Sequence, residues 1–154
     1  MMRTGLDSIN TLNRTYRPFT IAGVEPYVQF FDKHGTPNDR VLAYYLLGRA
    51  YYDHGEAPMA LQCYQQAIEH SDTTLNDCDY AQLSRVYAQM SEIYYDQGLY
   101  REGLYHDRMS ERTAWLGADT LAALLCYEQE GYAYFTLEQM DSFVYVTKEA
   151  AQKY

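Results

Sequence analysis

The sequence predicts an all-α protein of about eight helices, most of them paired into hairpins that repeat along the chain. Three observations lead there. Helical starts and stops are marked by capping residues, prolines and glycines at the right places. Apolar residues recur at three- and four-residue spacing, with no stretch of convincing strand alternation. One hairpin pattern, clearest over residues 36–71, returns twice downstream.

Residues 3–16 place Leu6, Ile9, Leu12 and Tyr16 at helical spacing and stop near Pro18. Phe19, Thr20 and Ile21 read as a short extended connector. Val24 to His34, carrying Tyr27, Val28, Phe30 and Phe31, reads as a second helix stopped by Gly35. Residues 1–35 are thus a divergent N-terminal helical pair, separated by only a turn from the helix that begins near Pro37, so the chain reads as one continuous domain.

The hairpin at 36–71 is the best marked. Thr36 offers a hydroxyl to an orphan amide, Pro37 fits the first helical position, and Asp39 puts negative charge at the helix's positive end. Tyr44, Leu47 and Tyr51, with the small Ala43, Gly48 and Ala50, lay a stripe along one face. Gly55 ends that helix and Pro58 opens the next, where Leu61, Tyr64, Ala67 and Ile68 form a second stripe. Gly48 costs about 1 kcal/mol relative to alanine inside a helix, which requires a packing reason. The expected reason is close approach of the partner helix at Ala60.

The pattern recurs at 79–116 and 119–154. Ser71 to Asp79 is a polar linker, and Asp79 caps a helix from Tyr80 to about Gln97 with Leu83, Val86, Tyr87, Met90 and Tyr94 inward. After Gly98 comes a helix from about Leu99 to Leu116, closed by Gly117. Ser91 stands where Gly48 stood, Gly103 where Ala60 stood, and Asp107 where Tyr64 stood. Asp119 caps a third pair of helices, the first holding Leu121, Leu124, Leu125 and Tyr134 and the second starting near Asp141. There Tyr127, Gly131 and Tyr134 repeat the spacing, Ala150 stands in place of Ala67, and Glu130 and Phe143 depart from the pattern.

With Tyr44, Leu47, Gly48, Tyr51, Ala60, Tyr64 and Ala67 at these spacings, the chain resembles the tetratricopeptide repeat family. The steps from Gly48 to Ser91 and on to Gly131 are 43 and 40 residues, longer than that family's repeat of about 34. This spacing is similar to that of bacterial members with extended repeats. The resemblance implies a right-handed α-solenoid whose first helices line a concave, tyrosine-rich groove for a peptide or partner helix. The groove positions it implies are Leu42, Tyr45, Arg49 and Tyr52 in the first hairpin. Arg85, Ala88, Glu92 and Tyr95 come next in the second, and Leu125, Glu128, Tyr132 and Phe135 in the third. Glu92 and Glu128 would oppose a peptide carboxylate, which disfavours the chaperone-tail clamp used by some members. A second reading by the same analogy is a sensor or dimerisation segment of a bacterial signalling or transcription regulator.

Bulk properties narrow the function further. The chain has 154 residues, a net charge of −9 and eighteen tyrosines. Residues 1–49 hold six basic and four acidic side chains, and residues 50–154 six basic and seventeen acidic. Such a surface repels phosphate backbones, so no nucleic acid is expected as a direct partner, and a basic or amphipathic protein segment fits better. Cys63, Cys78 and Cys126 have neither disulfide-framework nor zinc spacing, and Cys63 and Cys126 read as core. The four histidines form no ligand pair, and no nucleophile-base or phosphate-loop signature occurs, so neither catalytic residues, metal nor cofactor is expected. With no signal peptide or spanning helix legible in the residues given, a cytoplasmic chain is the default expectation, and a periplasmic or membrane-tethered one the alternative if these residues are a segment of a longer protein. The segment from Ser142 to Tyr154, with Phe143 and Val146, makes a poor polar cap, and a homodimer through this C-terminal helix is expected.

Overall fold

The computed structural model describes residues 1–153, without the side chains of 142–147 and 149–153. It contains α1 (Met2–Arg14), α2 (Ile21–His34), α3 (Pro37–Asp53), α4 (Ala57–His70), α5 (Tyr80–Asp96), α6 (Tyr100–Leu116) and α7 (Thr120–Lys153), and no strand among the described residues. The chain divides into two compact units, Met1–Val86 and Tyr87–Tyr154, with the boundary inside α5.

Local chemistry sets the helix ends. Thr36 and Asp39 form a reciprocal capping box, with Pro37 at the first turn. Burial works against the Asp39 carboxylate, but hydrogen bonds from the Thr36 amide and the Arg3 guanidinium, the latter at 2.7 Å, outweigh it and hold its pKa below the ordinary range. Asp79 and Asp119 accept from the amides of Gln82 and Ala122, each at 3.0 Å, and so cap α5 and α7. Helix α2 starts earlier than its apolar pattern suggests. Thr20 accepts from the Gly23 amide at 2.9 Å, so Ile21 is helical rather than part of a connector.

Four helices end with a residue in the left-handed region: Tyr16, Gly55, Gly98 and Ala118. At each, amides turn back to the last carbonyls, as Glu56 N–H does to Tyr51 and Asp119 N–H to Ala114, both at 2.9 Å. After α6 the residue that turns is therefore Ala118, at φ 57°, and not Gly117.

In the first unit α3 packs on α4, α2 on α3, and α1 on both α2 and α3. Leu6, Val24, Phe31, Tyr45, Leu46 and Tyr64 are among its large buried side chains. Asn38 pins the linker to the start of α3, donating to the Asp77 carbonyl at 2.6 Å and accepting from the Asp79 amide at 2.9 Å. Gly48 does face a crowded contact, but the neighbour is the Tyr64 ring rather than Ala60. A tyrosine four residues further along α4 reaches back over the turn before it, as long helical side chains do.

In the second unit α6 packs against α7. Here the hairpin expected over 119–154 is a single helix of 34 residues, and the helix count is seven rather than about eight. The reason is the segment Phe135-Thr-Leu-Glu-Gln-Met-Asp141, which has no glycine or proline and is rich in good helix formers. The expected contact at Phe143 and Val146, the repeat match at Ala150 and the departure at Phe143 lie outside the described side chains.

Candidate functional site

The first unit brings two of the implied groove residues together. The Arg49 guanidinium lies 5.6 Å from the Tyr52 ring centre and 3.5 Å from the Asp53 carboxylate. Leu42, Arg49, Tyr52 and Arg85 are half-buried, and Arg85 donates to Gln82 Oε1 at 3.3 Å. Tyr45 is a correction. Only 4% exposed, with its ring centre 6.0 Å from that of Tyr64, it is a core residue and offers nothing to a partner. Alternation of tyrosines at 44, 45, 51 and 52 does not by itself say which of two adjacent rings turns inward.

Tyr44 is the polar member of that set. It donates to Asp32 Oδ1 at 2.9 Å and stacks on His70 at 5.1 Å, tying α2, α3 and α4 together. Burial and the Asp32 carboxylate push its hydroxyl up to about 12, so it stays protonated.

The second unit has a polar interior. Asp107 in α6 is completely buried and accepts from Ser91 at 2.8 Å and from Tyr95 at 2.6 Å, both in α5. Thus the position held by a Gly48–Tyr64 packing contact in the first hairpin is held here by a Ser91–Asp107 hydrogen bond. Burial raises the Asp107 carboxyl above its ordinary range, with the two hydroxyls pulling it back. The Tyr95 ring covers Gly103, mirroring the Tyr64–Gly48 contact with the two helices exchanged. One turn further along α6, Ser110 accepts from the Cys126 thiol at 3.1 Å. Glu130, 7% exposed, meets the Glu111 carboxyl, and its Oε1 has no partner among the described residues. Burial and the hydrogen bond with Glu111 raise its pKa to about 8, so at neutral pH it carries a proton.

The outer surface of α7 is different in character. Its buried stripe is Ala123, Cys126, Glu130 and Ala133, while Leu121, Leu124, Leu125, Tyr132 and Phe135 are all exposed, Tyr132 by 72%. Of the implied groove residues, Leu125, Glu128, Tyr132 and Phe135 thus face solvent on one helix, with Glu92 exposed and Ala88 half-buried on α5. Tyr95 and Tyr132 meet in a pocket of about 230 Å³ also lined by Tyr100, Gln129 and Ala133. Tyr95 contributes its ring there, since its hydroxyl is committed to Asp107.

Leu121, Leu124 and Tyr127 were not among the implied site residues, though all three are exposed. The signal for them was present: the small side chains Ala123, Cys126 and Ala133 already form a complete seam, which leaves the large ones for another face. No group of three or more His, Cys, Asp or Glu among the described residues could hold a metal ion, and no helix among them is long and apolar enough to cross a membrane. No protein-family model matches the chain, and no curated protein is similar enough to it to register as a relative.

Proposed function

We propose that this chain is a helical-repeat scaffold for protein–protein interaction, binding a peptide or partner helix through aromatic side chains. The observation that carries the reading is the outward face of α7, where Leu125, Tyr132 and Phe135 stand in water together. Grouped exposed apolar residues of this size are the mark of an interaction surface, and tyrosine gives large contact area for little lost entropy. The resemblance to tetratricopeptide repeats, specific over residues 36–71, supports the same reading, as does the acidic charge, which favours protein segments over nucleic acid.

A displayed peptide library selected on the immobilised chain tests it. Peptides recovered should bind in solution, and Tyr132→Ala should weaken a selected peptide by ~1–2 kcal/mol without loss of helical signal. Failure to recover any sequence-specific binder, or affinity indifferent to Tyr132→Ala and Tyr52→Ala alike, would reject the reading.

A further inference from the structure

Helix α7 carries two seams. Ala123, Cys126, Glu130 and Ala133 are buried on the side of α6. Leu121, Leu124, Glu128, Gly131, Phe135 and Glu138 keep the same alternation of three- and four-residue steps, about 150° round the helix from the first, and every one of them is exposed. That alternation is the period on which a second helix packs.

Two features of the open seam state what its occupant must carry. At its centre nothing lies within 4 Å of where a Gly131 β-carbon would stand. Three other helical glycines, Gly5, Gly48 and Gly103, are each covered by a tyrosine ring, those of Tyr27, Tyr64 and Tyr95, so the same kind of hollow is filled three times in this chain and is open at Gly131. The charges on the seam are Glu128 and Glu138, and from Thr120 to Asp141 the helix has no lysine or arginine. The nearby arginines of α6 act elsewhere, Arg108 over the Tyr134 ring at 5.0 Å and Arg101 with Asp141 at 3.6 Å. A second copy of the chain would bring the same two glutamates and a net charge of −9.

We propose that the open seam of α7 docks a basic amphipathic helix, which seats an aromatic ring on Gly131 and sets lysine or arginine against Glu128 and Glu138. The docked helix completes in trans a hairpin of the kind that α3 and α4 form within the chain. Glu128 lies one turn before Gly131 and Glu138 two turns after it, so the partner's cations flank its aromatic residue at those unequal distances. The inference rests on the scaffold reading and narrows it to one face and one chemistry.

The test is a titration of the full chain with a labelled synthetic peptide of about 20 residues, long enough to hold a helix. It carries a central tryptophan, leucine at the other seam positions and lysine at the two flanking ones. A second peptide has glutamate for both lysines, and a third scrambles the order. The lysine peptide should bind at least ~10-fold more tightly than either. Glu128→Lys with Glu138→Lys should reverse the preference between the lysine and glutamate peptides. Gly131→Leu should weaken the lysine peptide ~10-fold by filling the hollow while the protein melts no lower than the parent, since leucine favours the helix. Equal binding of the scrambled peptide, an unreversed preference, or indifference to Gly131→Leu would each overturn the proposal. So would sedimentation showing a dimer that Leu124→Lys and Phe135→Lys dissociate, because the occupant would then be a second copy. If a library-selected peptide binds through Tyr132 while the lysine peptide does not, the scaffold reading stands and this one falls.

Discussion

The Tyr64 ring has no exposed surface and lies so close over Gly48 that a β-carbon there would overlap it. Burying a tyrosine ring is worth several kcal/mol at ~25 cal/mol per Å², so the glycine is the side of the contact that was made small. Gly48→Ala and Gly48→Leu should therefore lower stability by ~1–3 kcal/mol through overpacking, against a helix-propensity gain of ~1 kcal/mol. Gly131→Ala, whose added methyl meets nothing, should raise stability by ~0.5–1 kcal/mol. Urea denaturation of the variants compares them; equal shifts at both glycines would deny the contact.

Asp107 depends on two hydroxyl donors in α5. Tyr95→Phe keeps the ring over Gly103 but removes the 2.6 Å hydrogen bond, and should cost ~1.5–3 kcal/mol because the buried carboxyl loses a partner. Tyr95→Ala should cost more, since it also empties the space over Gly103. That makes Tyr95 unsuitable as a binding-only probe. A Tyr95→Phe protein as stable as the parent would show that the bond contributes nothing.

Glu130 couples stability to pH. Its carboxyl is held at about 8 in the folded chain against an ordinary 4.5, so the folded state binds the proton more tightly than the unfolded one. The associated stabilisation is complete below about 4.5 and is lost as pH rises through about 8. Glu130→Gln should remove that part of the slope. The variant should match the parent near pH 4 and exceed it by ~1 kcal/mol or more above pH 8, since each tenfold difference in proton affinity between the folded and unfolded chain is worth about 1.4 kcal/mol. Parallel urea titrations across this range check it, and an unchanged difference between variant and parent at every pH would refute it.

Ala118 turns the chain after α6 in the left-handed region, at φ 57°. The equivalent turns after α3 and α5 use Gly55 and Gly98. Because a β-carbon costs ~1–2 kcal/mol in that conformation, and glycine gives part of this back as unfolded-state entropy, Ala118→Gly should stabilise by ~0.5–1 kcal/mol. Thermal melting reads it directly, and a lower melting temperature would contradict the assignment.

Much of the architecture was legible because it is written within a few residues. The Thr36–Asp39 box, the Asp79 and Asp119 caps and the Gly55 and Gly98 turns each depend on atoms a turn or less apart. The all-α class and the ends of α3, α4, α5 and α6 result from them. The third hairpin failed for the same local reason read the other way: no residue between Tyr134 and Asp141 stops a helix, so a repeat pattern weak in punctuation yields the single helix α7.

What only the tertiary structure decided is which face of each helix is covered. Tyr44 and Tyr45 are neighbours of one chemical type, yet one holds Asp32 at the surface and the other is sealed beside Tyr64. On α7 the small residues Ala123, Cys126 and Ala133 are buried while Leu121, Tyr132 and Phe135 are exposed, the reverse of what side-chain hydrophobicity alone suggests. Helical spacing determines which residues share a face. Burial depends on how closely another backbone approaches that face, and on α7 the close approach of α6 selects the seam of small side chains and leaves the large ones outside.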